Sequence, residues 1–171
     1  MLSDHFVPLV QFYITIASNK NYDESTRIMA LSFLMWCTIY KKNKLQKLKL
    51  VGPFIGSILP IGAESSDIEE DDDSPSKVAF QVISSLSTNL PPVCVFPEVM
   101  KYVCNFMQEA LPSYRKAAML ALSVLVDGCA DYMRTKLEEL LPILMAGLND
   151  GDESVRVASC IALGSISGIS L

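Results

Sequence analysis

Hydrophobic positions fall at helical spacing along almost the whole chain, and period-two alternation is nearly absent. Leu137, Leu140, Leu141, Leu144 and Leu148 follow the i, i+3, i+4, i+7, i+11 pattern, which draws one apolar stripe along a helix. Val99, Tyr102, Val103, Phe106 and Met107 do the same, as do Leu48, Val51, Ile55, Ile58 and Leu59. Between these segments, residues 28–40, 78–86, 117–126 and 155–166 carry apolar or small side chains on nearly every face. A helix covered all round has to be sandwiched between neighbours, so one-sided and many-sided helices alternate. The spacing predicts outer helices over 7–17, 45–61, 97–109 and 132–148, and inner helices over 23–42, 75–89, 113–129 and 153–167.

Start and stop signals agree with that division. Ser74-Pro75 offers a capping hydroxyl and a first-turn proline, Asp23 and Asp152 can cap the helices that follow them, and Pro112 precedes Arg115 in the same way. Gly128 reads as a left-handed C-cap, and Pro142 inside the leucine stripe predicts a kink.

The elements repeat. Aligning the basic residue in the first turn of each many-sided helix gives Arg27, Lys77, Arg115 and Arg156, with Met29, Ala79, Ala117 and Ala158 two places on. A period near 40 with two helices per unit is the signature of HEAT or armadillo-type arrays, because a lone helix pair cannot bury its apolar face and a stack of pairs can. The expected fold is all-α: a right-handed superhelical solenoid of antiparallel helix pairs. One segment, 1–171, would hold four repeats over 6–44, 45–90, 96–130 and 132–168. The first interval is about ten residues too long, and the excess coincides with Glu64, Asp67, Glu69, Glu70, Asp71, Asp72 and Asp73. The acidic run 64–73 is therefore an insertion between the two helices of one repeat.

Composition narrows the function. The chain has 14 basic and 19 acidic residues for a net charge of -5, and removing those seven leaves 12 acids against 14 bases. The acidity is local, which argues against a general nucleic-acid surface. Residues 12–17 and 119–126, the longest nearly apolar stretches, fall far short of the roughly 18–20 a membrane span needs. No basic, apolar and cleavable leader opens the sequence. Five widely spaced cysteines without a C-x-x-C, each in an apolar helical pattern, read as reduced and buried, and the chain as a soluble protein of the cytoplasm or nucleus.

Candidate chemistry is sparse. His5 is the single histidine, no nucleophile elbow, phosphate loop or zinc motif occurs, and Asp71–Asp73 lacks calcium-loop spacing. No enzyme, cofactor or metal is expected. The acidic run has two readings: a solvated loop that aids solubility, or a patch that attracts Lys/Arg-rich peptides with steering that weakens as salt rises. Lys41, Lys42, Lys44, Lys47 and Lys49 read as a solvated turn between repeats, and Trp36, among Phe33, Leu34 and Cys37, as core.

Several stretches carry a family likeness. Ala110-Leu111-Pro112-Ser113-Tyr114-Arg115-Lys116-Ala117-Ala118, Asp127-Gly128-Cys129, and Asp150 through Val155-Arg156-Val157-Ala158 resemble the HEAT repeats of the karyopherin-β (importin-β) family. Ile68 through Pro75, entering Lys77-Val78-Ala79, resembles the acidic loop of those receptors. Together with Leu59 through Glu64 and Asn89-Leu90-Pro91-Pro92 it is most similar to the importin beta-four branch. The resemblance implies a piece of a nuclear import receptor that shuttles between cytoplasm and nucleus. Basic cargo such as ribosomal proteins and histones would bind Glu64, Asp67, Glu69, Glu70, Asp71, Asp72 and Asp73. Ran-GTP would release it, and phenylalanine–glycine nucleoporins would dock between outer helices. The competing class is a HEAT scaffold for complex assembly without Ran, and a third is a truncated product with no transport activity of its own. Both ends finish in apolar helices, so exposed end faces and self-association are expected.

Overall fold

The computed structural model describes residues 5–64 and 74–168. Nine helices occur among them: α1 (Phe6–Ser18), α2 (Glu24–Tyr40), α3 (Lys42–Lys47), α4 (Val51–Gly62), α5 (Pro75–Asn89), α6 (Pro92–Phe106), α7 (Pro112–Arg134), α8 (Leu137–Leu148) and α9 (Glu153–Ser167). No strand occurs among the described residues. The helices pair as α1/α2, α4/α5, α6/α7 and α8/α9, with α3 as a one-turn link. Second helices stack in the order α2, α5, α7, α9, and first helices in the order α1, α4, α6. The result is a two-layered α-solenoid. Its core is a single apolar sheet of side chains between the layers, with Leu31, Leu34, Ile55, Ile58, Ile83, Leu86, Leu122 and Leu125 fully buried. Each stabilises the fold by about 1.5–3 kcal/mol.

The caps form where the sequence puts them. Asp23 accepts from the Thr26 amide at 2.9 Å, Ser74 from Lys77 at 3.3 Å and Asp152 from Ser154 at 2.9 Å. Pro112 opens α7, and α8 continues through Pro142.

Other expectations need correction. Gly128 is no cap: α7 runs through it to Arg134, and no glycine among the described residues has positive φ. Its missing side chain instead lets α5 pass close by, since a Cβ there would stand well inside contact distance of the Ser87 carbonyl oxygen. Residues 132–134 therefore end α7, and α8 starts only at Leu137. Helix α6 begins at Pro92, five residues before the expected start, with Pro97 inside it. Residues 45–61 do not form one helix. Leu45 is buried in α3, Lys49 takes a left-handed conformation at φ 53°, and α4 restarts at Val51. Trp36 is not core but 43% exposed, at the edge of a stack with Phe33 and Tyr40. Lys41 reaches over its ring at 5.5 Å in a cation–π contact. Cys37 and Cys129 are buried free thiols, and burial pushes both up to about 11. Cys94 is only half-buried, while Cys104 and Cys160 are exposed, because they sit on the solvent side of α6 and α9.

The first-helix layer also relies on close approach. On α4, Gly56 faces the Tyr102 hydroxyl of α6, which occupies the space a side chain would need.

Candidate protein-interaction site

The acidic run is an excursion from a closed base. Helix α4 winds down through Ala63 N–H to Pro60 O (3.2 Å) and Glu64 N–H to Ile61 O (3.1 Å). The chain returns at Ser74, which is extended, as the residue before a proline prefers to be (φ -86°, ψ 149°). Two residues later, Ser76 Oγ donates to the Gly62 carbonyl at 2.9 Å. Exit and return are thus joined by one hydrogen bond. Of the seven candidate carboxylates, the structure places Glu64 here; Asp67, Glu69, Glu70, Asp71, Asp72 and Asp73 lie outside the described residues.

Glu64 is already engaged. Its Oε1 accepts from Arg27 Nη2 at 2.8 Å, with Lys20 Nζ at 3.9 Å on the other side. Arg27 comes from α2 of the preceding pair, and its side chain is only 6% exposed. Its Nε donates to the Ala17 carbonyl at 2.8 Å. Arg115 repeats this arrangement two pairs on. Nη1 donates to the Glu109 and Ala110 carbonyls, both at 2.8 Å, while Nε and Nη2 grip the Asp150 carboxylate at 2.7 and 3.0 Å. Arg156 Nη1 in turn donates to the Asp150 and Gly151 carbonyls at 2.9 and 3.0 Å. Each arginine holds the turn of its own pair and, for Arg27 and Arg115, an acid from the turn of the next.

The three arginines aligned from sequence are thus turn clamps, a role that their periodicity did not disclose. In the second pair the carbonyl contact is made by Ser76, one place before Lys77. Of the acidic partners, Glu64 reads in the sequence as part of the acidic run and Asp150 as part of a repeat turn, neither as the partner of an arginine. Hydrogen bonding from Arg115 holds the Asp150 carboxyl below the usual carboxylate range, against the opposing effect of burial.

Two clefts open on the second-helix layer, the first of them beside Glu64. One, of about 350 Å³, lies between α5 and α7 and is lined by Glu64, Ser76, Lys77, Phe80 and Lys116. The other, of about 570 Å³, lies between α7 and α9 over Leu120, Val157 and Ile161, with Glu153 at its edge. They share Lys116, Leu120 and Ser154, so they form one continuous groove. The opposite layer holds a more apolar groove of about 440 Å³ between α6 and α8. Phe96, Pro97, Met100, Tyr132 and Ile143 line it, with Lys101 and Lys136 at the rim. Phe96 meets Tyr132 edge-to-face at 5.2 Å.

Among the described residues, no group of three His, Cys, Asp or Glu is placed to hold a metal ion, and no helix is long and apolar enough to cross a membrane. The second-helix layer thus presents a groove with both charged and apolar lining, and the opposite layer a mainly apolar one.

Known proteins point the same way. The HEAT-like repeat family matches residues 112–166. The probable importin subunit beta-4 of Schizosaccharomyces pombe is 36% identical over 159 residues, covering 93% of this chain and 15% of that protein. Importin-4 of Mus musculus is 31% identical over 185 residues, covering 98% and 17%. The chain thus spans about a sixth of the length of these relatives. Among solved structures, Kap121p bound to Nup53p superposes with a TM-score of 0.86 at 21% identity, over 96% of this chain and 17% of that one, a likeness of fold. With its stacked helix pairs and its matches to importins along nearly its whole length, the chain belongs to the karyopherin-β family and corresponds to a segment of the importin-4 branch.

Proposed function

We propose that this chain serves a nuclear import receptor as a cargo-reading segment, in which the acidic run 64–73 collects Lys/Arg-rich segments of proteins such as histones and ribosomal proteins. The observation that carries this reading is the base of the run. Ser76 and Gly62 join the helices on either side of it, and Glu64, its first residue, lines the groove between α5 and α7 on the second-helix layer. Each exposed ion pair contributes about 0.2–1 kcal/mol, so affinity comes from multiplicity. Ran-GTP would release cargo by competing for the same acids, and the receptor would shuttle between cytoplasm and nucleus. The relatives, which are importins, support this reading.

Phenylalanine–glycine nucleoporins would use the other layer. The groove between α6 and α8 offers an aromatic and aliphatic floor with room for a phenylalanine ring. Met100→Glu is expected to weaken binding of a phenylalanine–glycine repeat peptide by about tenfold while leaving basic-peptide binding unchanged. Calorimetry with both peptides would show it, and equal losses for the two would remove the groove from this role.

The cargo reading is tested by replacing Glu69, Glu70, Asp71, Asp72 and Asp73 with serine or asparagine. Fluorescence anisotropy with a labelled Lys/Arg-rich peptide should show at least about tenfold weaker binding at low salt, and a shallower salt dependence. Equal binding by the variant and the parent chain would leave the run as a solvated insertion.

A further inference from the structure

We propose that the flank of the first helix pair turned away from α5 is a docking surface for an acidic polypeptide segment with one aliphatic or aromatic anchor. The anchor enters a cleft between α1 and α2, and the carboxylates around it meet the lysines of α3. This does not rest on the cargo reading, since a Lys/Arg-rich segment would be repelled here.

The argument begins with a row of rings. Phe12, Tyr13, Phe33, Trp36 and Tyr40 meet in turn, with centroids 5.6, 3.9, 6.2 and 5.0 Å apart. On α2 the positions Met29, Phe33, Trp36 and Tyr40 follow i, i+4, i+7, i+11 and so share one stripe. Met29 is 72% exposed and Tyr40 64%, while Leu31, Leu34 and Cys37 on the other side are fully buried. A contiguous apolar surface of this kind marks a place for a partner, and Trp and Tyr are the side chains that anchor such contacts. Beside the stripe opens a cleft of about 390 Å³, walled by Phe6, Leu9, Phe33 and Trp36 with Lys41 and Lys44 at its sides. Its lining is almost wholly apolar, and it has room for a leucine or aromatic side chain.

Charge decides what kind of partner fits. Residues 25–63 contain no Asp or Glu, and Asp23 and Glu24 stand at the opposite end of α2 from Lys41. Lys41, Lys42, Lys44, Lys47 and Lys49 make no ion pair among the described residues. Lys41 and Lys44 lie instead over the rings of Trp36 and Phe6, at 5.5 and 5.4 Å. An aromatic face holds an exposed ammonium only weakly, and a carboxylate is its stronger partner. The cleft is thus an apolar socket bordered by positive charge that nothing nearby answers. An acid-rich segment satisfies both features: its anchor covers the indole, and its carboxylates take the ammoniums.

The test titrates the full 171-residue chain with a labelled Asp/Glu-rich peptide carrying one central leucine. Trp36 is the single tryptophan, so its emission reports on this cleft while anisotropy reports on binding. Binding should move the emission to the blue as the indole leaves water, and should weaken several-fold between low and physiological salt. The same peptide with serine in place of leucine should bind at least about tenfold more weakly. Lys41→Gln combined with Lys44→Gln should weaken binding about tenfold and flatten its salt dependence, with Trp36 still in place as reporter. Trp36→Ser should weaken it about as much and leave the salt dependence intact. Arg134→Gln removes a positive charge elsewhere and should change nothing. Absence of binding, or equal binding by the serine peptide, overturns the proposal. So does an RNA oligonucleotide that binds more tightly with the same change in emission, which would make the ligand a nucleic acid. Emission that moves with the concentration of the chain and not with peptide would make a second copy the occupant, and also overturns it.

Discussion

Gly128→Ala is expected to destabilise the chain by about 2 kcal/mol, although alanine is the better helix former by about 1 kcal/mol. The sign of the effect is the informative part. Gly128 lies in the interior of α7, where the helix itself would accept a methyl group, but the backbone of α5 at Ser87 and Thr88 occupies that space. Backbone cannot rotate out of the way as a side chain can, so α5 and α7 would have to separate. These two helices are adjacent members of the second-helix layer, and parting them opens the core around Leu86 and Leu125. Gly164→Ala in α9 is the control. A Cβ there meets nothing within 4 Å, so the substitution should stabilise by up to about 1 kcal/mol. Urea unfolding of the two variants beside the parent chain measures both. A stabilised Gly128→Ala would mean that α5 and α7 do not approach as described.

Asp150→Ala should cost about 2 kcal/mol, between the values for surface and buried ion pairs, because both partners are mostly covered (18% and 9% exposed). The loss is larger than one hydrogen bond for two reasons. Arg115 would keep its charge with only carbonyls to answer it, and the amide of Asp152, which donates to Asp150 Oδ1 at 2.9 Å, would lose its partner. Asp150→Asn should cost less, since it retains an acceptor. The pair also sets a pH dependence. Arg115 holds the Asp150 carboxyl below its ordinary value, so the folded state binds that proton less readily than the unfolded chain. The stabilisation is complete above the unfolded value, about 3.9, and is lost as pH falls toward the lower folded one. Thermal melts between pH 6 and pH 3 should show the parent chain losing stability faster than Asp150→Asn. Parallel curves would argue against the clamp.

Much of this architecture is legible in the residue pattern, and the exceptions share a cause. Asp23, Ser74 and Asp152 are read correctly as caps because capping is a contact within a few residues of sequence. The alternation of one-sided and many-sided helices is readable because burial on one face or several follows from layer position. Gly128, Pro97 and Trp36 mislead because their meaning depends on what lies opposite. A glycine near an expected helix end looks like a terminator until α5 is placed against it. A proline looks like a helix start until Pro92 proves to be a better one. Trp36 has apolar neighbours in sequence, yet the face of α2 that carries it is not the face α5 covers. The same limit applies to the candidate site. The acidic run is evident as a slip in the repeat, but the capture of Glu64 by Arg27, 37 residues away, needs the stacking of two pairs. The groove between α6 and α8 is a gap, and periodicity records which residues turn inward, not how far apart two helices stand.

The glycine on α4 has a consequence at much larger scale. Tyr102 enters the notch at Gly56 like a tongue in a socket, one of the contacts through which the third pair is seated on the second. In a stacked array the small rotation at each step accumulates into the pitch and bend of the whole superhelix. In proteins as long as the relatives of this chain, a change of one residue in such a socket would act at the end of a long lever arm. It would displace distant surfaces while barely altering the local contacts, so the shape of the whole can be retuned from a position that binds nothing.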